Sequence, residues 1–135
     1  MSDSKFEYGT DFLYAEDLLQ GGQFQTVKVQ ISEVIEPGTI RAANGKPVDK
    51  WILRFAGKSK QLAMCDTNMR LVHLITGHPP GSAWIGKTIT LQVRVVEAFG
   101  DNVIAVRVIP AAGTPLRKSL LKRLGSKAVF KSEHA

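Results

Sequence analysis

A chain of 135 residues with 44% apolar content and one cysteine can bury a core without disulfides or structural metal, which excludes both wholesale disorder and a disulfide scaffold. No run reaches the roughly 20 apolar residues of a membrane span, and the opening "MSDSKFEYG" lacks the apolar core of a signal peptide, so the chain reads as soluble and cytoplasmic, with no membrane partner. Its formal charge of +6 fits a polyanionic partner better than a neutral one.

Residues 1–20 carry five acids (Asp3, Glu7, Asp11, Glu16, Asp17) against Lys5. With Phe6, Tyr8, Phe12, Tyr14 and the stretch "AEDLLQGG", residues 1–24 are expected to form an acidic arm, or a single helical turn, laid on the core. From Thr26 the pattern has period two. Val27, Val29 and Ile31 share one face; Thr26, Lys28, Gln30 and Ser32 share the other. Adjacent Val34 and Ile35 break the alternation and predict a bulge or bend. "PGTIRAANGKPVD" then reads as a long loop or loose hairpin end.

In the second strand Trp51, Leu53 and Phe55 alternate with Lys50, Ile52 and Arg54. After "AGKSK", Leu62 and Met64 alternate with Gln61, Ala63 and Cys65 in a third. "DTNMRLVHLITG" changes period: Leu71, Val72, Leu74 and Ile75 fall on one helical face. Asp66, Thr67 and Asn68 offer N-caps, and Gly77 with Pro79 and Pro80 marks the stop. Trp84, in the loop "HPPGSAWIG", reads as a plug. In "KTITLQVRVVEAFG", Ile89, Leu91, Val93 and Val95 oppose Thr88, Thr90, Gln92 and Arg94. "GDN" signals a tight turn, and Ile104, Val106 and Val108 oppose Ala105 and Arg107 in the last strand. "TPLRKSLLKRLGSK" then forms a short basic helix, with Leu116, Leu120, Leu121 and Leu124 between Arg117, Lys118, Lys122 and Arg123.

The order β-β-β-α-β-β, each strand having one apolar and one polar face, predicts an all-β barrel with one inserted helix. That connectivity is the five-stranded OB-fold. An SH3-like barrel lacks the helix, and a ferredoxin-like sheet needs a second. Residues 1–24 would be the arm, 25–110 the barrel, and 111–135 the basic helix and tail.

The stretches "FLYAEDL", "WILRFAGKSKQLAMCDTNMRLVHLITG", "WIGKTITLQV" and "FGDNVIAVRV" resemble a family of small phage- and prophage-encoded OB proteins described as single-stranded-DNA-binding-like. The positions that carry the likeness are Asp17-Leu18, Leu53 and Phe55, Thr67-Asn68, and Trp84-Ile85-Gly86-Lys87, across about residues 12–109. The resemblance implies an OB-fold and, in a bacterial host cell, phage replication or recombination. The basic tail differs from the acidic tail of the better-known bacterial single-strand binders.

The outward basic residues are Lys28, Lys50, Arg54, Arg94 and Arg107, joined by Lys58 and Lys60 in a turn and Arg41 and Lys46 in the long loop. Such cations neutralise phosphates without reading sequence; solubility and edge protection explain outward lysines equally well. Stacking platforms are sought in Phe99, at the last hairpin, and in Trp51, whose parity with Leu53 points equally to the core. Stacking and backbone contact admit RNA as well as single-stranded DNA, and homo-oligomer formation stays open. His73, His78, His134 and Cys65 have no metal-ligand spacing. "IGKT" leads into a strand rather than the helix a P-loop requires. The expectation is therefore a non-catalytic single-stranded nucleic-acid binder without cofactor or metal. The rival is a protein-interaction or assembly module built on the same barrel and tail, and burial of the aromatic rings on strands two and three would favour it.

Overall fold

Alternation of period two builds most of the structure, a computed structural model that describes residues 12–129. Expectations placed on Phe6, Tyr8, Glu7, Asp11 and His134 lie outside the described residues. One 3-10 turn, Ala15–Leu18, precedes a small hairpin of β1 (Leu19–Gln20) and β2 (Gln23–Phe24). Then come β3 (Val27–Ile35), β4 (Ile52–Phe55), β5 (Leu62–Ala63), α1 (Asp66–Thr76), a second 3-10 turn (Ser82–Trp84), β6 (Thr88–Ala98) and β7 (Asp101–Ile109). The chain closes with α2 (Lys118–Leu124) and β8 (Ser126–Lys127).

The main sheet runs β5-β4-β3-β6-β7, with every ladder antiparallel. Among the described residues no ladder joins β5 to β7, so the sheet is open rather than a closed barrel. The expected strand and helix order from β3 to β7 is present, and the molecule is mostly β-sheet with two helices. The irregularity expected at Val34 and Ile35 falls earlier in β3, as a register shift between Ile31 and Glu33, and the ladder is regular again at Val34 and Ile35.

Inward residues of each long strand meet in one core: Val29, Ile31, Leu53, Phe55, Leu62, Met64, Ile89, Leu91, Val93, Val106 and Val108. Trp84 is fully buried in it and its Nε1 donates to the His78 carbonyl at 2.8 Å, the plug its loop position predicted. Strand parity fails at four places, the first being Ile104, which shares the apolar parity of Val106 yet is 38% exposed. Ile52 lies opposite Ile35 and both are buried, although Ile52 has the polar parity. Gln61 is buried on the same parity as Cys65, and its side chain accepts from Arg54. Val96 is buried because the tail packs on β6 near its end.

Helix α1 also departs from its pattern. Leu71 and Val72 are buried, whereas Leu74 is 46% and Ile75 36% exposed. The buried face is rotated toward Thr67 and Asn68 because Asn68 is not a cap. Its Nδ2 donates to the Val106 carbonyl and its Oδ1 accepts from the Val108 amide, each at 2.9 Å. One side chain thus does for the free edge of β7 what a neighbouring strand would do. The N-cap is Cys65, whose Sγ accepts from the Asn68 amide at 3.5 Å; Gly77 closes the helix at φ 74°, as expected.

The β6–β7 turn lies one residue earlier than "GDN" suggested. Ala98 pairs with Asp101, leaving Phe99 and Gly100 as a two-residue connection with φ of 54° and 83°. Positive φ at both positions matches the right-handed twist of a hairpin.

The tail is part of the body. Leu116, Leu120 and Leu124 pack on the core while Leu121 stays exposed. β8 then pairs with β6 at Arg94 and Val95, on the edge that β3 occupies over Thr88–Leu91. Gly125, at φ 80°, makes the corner; a Cβ there would collide with the Val95 carbonyl and the Val96 side chain.

Candidate functional site

The predicted basic set separates into three groups. Arg41, Lys46 and Lys50 are exposed in the loop of residues 36–50. That loop is ordered by its own bonds: Gly38 N–H to the Val48 carbonyl, Ala42 N–H to the Lys46 carbonyl, and the Arg41 guanidinium to the Gly45 carbonyl at 2.8 Å. Lys58 and Lys60 lie past the other end of β4. Lys28, exposed on β3 opposite Thr90, belongs with them, because β3 and β4 are antiparallel and the turn lies near the start of β3. Lys60 Nζ is 3.5 Å from Asp17 Oδ1, an acid of the arm. Arg54, between the two groups, pairs with Glu33 at 3.2 Å and donates to Gln61 at 2.9 Å.

Arg94 and Arg107 form the third group, and they are half-buried holders of the tail rather than free cations. The Arg94 guanidinium donates to Gln92 Oε1 and to the Gly125 carbonyl, both at 2.7 Å. Its Nε is buried without a partner, and desolvation pulls its pKa down. Arg107 donates to the Arg123 carbonyl at 3.2 Å and to Cys65 Sγ at 3.5 Å. Outward parity on β6 and β7 was read correctly. What the pattern did not contain is that α2 and β8 would come back to cover that face.

The two predicted rings differ. Trp51 is half-buried against the core, and its strand neighbour Phe55 is buried. Phe99 is wholly exposed, at 107% of its reference area, and is the one non-glycine with positive φ among the described residues. β6 continues for seven residues past Leu91, where its pairing with β3 stops. β8 takes over that edge at Arg94 and Val95, and Phe99 crowns the short end of the β6–β7 hairpin past it.

Where β5 and β7 fail to pair there is a cleft of about 560 Å³. One wall is the N-terminal segment, which follows β5 through a parallel bridge between Phe12 and Gln61 and the Leu13 N–H bond to the Gln61 carbonyl at 2.7 Å. The opposite wall is Ile104, Ala105, Val106 and Arg107 of β7, and Val48 of the basic loop reaches the cleft. Tyr14 lines it and is 55% exposed. The Tyr14 amide donates to Asp17 Oδ2 at 2.8 Å, at the entry to the 3-10 turn. An acid three residues after a helix-entry residue is a capping pattern legible in "YAED". Ile104, 38% exposed, lines the cleft, and the strip of β7 running from there to its turn ends at Phe99.

No protein-family model, curated protein or solved structure matches the chain. Among the described residues no helix is long and apolar enough to cross a membrane.

Proposed function

We propose that the protein is a non-catalytic module that binds single-stranded nucleic acid, DNA in the first instance, along the cleft between β5 and β7 and the strip leading to Phe99. The observation that carries this reading is Phe99: a fully exposed ring held at positive φ on a projecting hairpin. A bulky residue at such a backbone position costs stability and buries nothing, so a contact outside the chain is the economical account of it. Tyr14 supplies a second exposed ring, and Arg41, Lys46, Lys50, Lys28 and Lys58 supply cations with no acidic partner among the described residues. The ladder order β5-β4-β3-β6-β7 with α1 between β5 and β6 supports reading the sheet as an OB-fold opened at one seam. A cytoplasmic role in phage replication or recombination rests on the family resemblance alone.

One observation favours the rival reading, a protein-interaction module. Phe55 is buried and Trp51 half-buried, so β4 offers no fully exposed ring. Fluorescence anisotropy with labelled oligo-dT and a matched duplex, titrated across salt, separates the two. Tight, salt-sensitive binding of dT with much weaker duplex binding supports the single-strand reading. Equal and feeble binding of both refutes it and leaves the rival.

A further inference from the structure

The strongest unassigned feature is a groove of about 640 Å³ between α1 and α2, which shares no lining residue with the cleft at β5 and β7. Its apolar lining is Leu74, Leu116 and Leu120; Arg70, His73 and Arg117 stand around them. Among the described residues no carboxylate lines it. Leu74 was expected in the core, yet it is 46% exposed.

The basic rim is ordered. Asp66 Oδ2 sits 2.8 Å from Arg70 Nε and 3.1 Å from an Arg123 terminal nitrogen, holding guanidinium groups of both helices beside the groove. One carboxylate against two arginines leaves this cluster positive. Arg117 has no ion-pair partner among the described residues, and no acid occurs from residue 111 to 129.

We infer that this groove docks a short acidic amphipathic segment of a partner protein, its apolar residues on Leu74, Leu116 and Leu120 and its carboxylates on Arg117 and Arg70. Charge complementarity selects an acid, and the leucine floor selects a peptide over a phosphodiester chain, because a floor of aliphatic groups offers nothing for a base to stack on. The site stands apart from the nucleic-acid reading, since neither the floor nor Arg117 belongs to that strip.

The test uses the full chain and two labelled peptides of equal negative charge, both predominantly glutamate. One carries two leucines a helical turn apart, and in the other serines replace them. The leucine peptide should bind more tightly by about tenfold or more, the scale of a small hot-spot contact. L74D and R117E, both at exposed positions, should each weaken it by about fivefold or more while leaving oligo-dT affinity and the melting temperature unchanged. Equal binding of the two peptides would reduce the groove to a generic basic surface and overturn the proposal. So would L74D binding the leucine peptide as the parent does, or displacement of that peptide by oligo-dT.

Discussion

Phe99 and Asn68 show how single side chains carry local structure away from the average. Phe99 occupies a turn position suited to Asn, Asp or Gly, and its exposed ring returns no packing energy to the chain. F99N should therefore raise stability by about 0.5–1 kcal/mol, read as a higher denaturant midpoint, because Asn tolerates positive φ. The same change should weaken oligo-dT binding by roughly 1–3 kcal/mol if the ring stacks on a base. A gain in stability with unchanged affinity would remove Phe99 from the interface. Asn68 works the other way: N68A would leave the Val106 carbonyl and the Val108 amide of β7 unpaired, at a cost of about 2–4 kcal/mol. Chemical denaturation measures that loss, and amide exchange should show it centred on the end of β7. Neither role was legible from residue type alone. Asn before a helical run reads as a cap, and only the position of β7 makes it an edge cover.

At the scale of elements, the docking of α2 and β8 on β6 depends on a sharp corner at Gly125. G125A would impose a left-handed conformation on a residue with a side chain and drive its Cβ into the Val95 carbonyl. The tail should then detach, lowering stability by about 2 kcal/mol or more and exposing the Arg94 guanidinium. Limited proteolysis should cut the variant between residues 111 and 129 while the parent resists; equal resistance would show that the corner relaxes cheaply. The α1–α2 contact also carries a pH dependence. The hydrogen bond from Arg70 foremost, then Arg123, holds the Asp66 carboxyl below its ordinary value of 3.8. A depressed folded-state value contributes stability above the unfolded value and loses it as pH falls through the folded one, so the effect lies below about pH 4. Asp66 is largely exposed, which keeps it small. NMR titration of Asp66 should move up toward the ordinary value in R70A.

For the whole molecule, the quantity that matters is how many cations remain for a polyanion after the fold has used the rest. Nine lysines and arginines were candidates from sequence. Arg94 and Arg107 hold the tail, Arg54 pairs with Glu33 and Lys60 with Asp17, while Arg41 bonds only a carbonyl of its own loop, so among the described residues five have neither an ion pair nor a tail contact: Lys28, Arg41, Lys46, Lys50 and Lys58. A single strand engaging all five should give a slope of log affinity against log salt of about −3.5, whereas nine would give about −6. The salt titration of oligo-dT reads this directly. A slope near the larger value would mean that Arg54 and Lys60 leave their acids and that the tail lifts off to release Arg94 and Arg107 when nucleic acid binds.

The sequence by itself determined the strand and helix order from β3 to β7, most of the inward residues of the longer strands, the presence of an irregularity in β3 and the burial of Trp84. Each follows from local periodicity or punctuation, which contact between distant segments reinforces but does not create. Tertiary structure alone decided the rest. Whether β5 meets β7, where Asn68 points, why Leu74 stays exposed, and that Arg94 and Arg107 grip the tail depend on segments 16 or more residues apart. Alternation assigns a residue to one side of a strand. It cannot say whether water or another part of the chain lies on that side, and for a basic side chain that difference separates a clamp from a binding site.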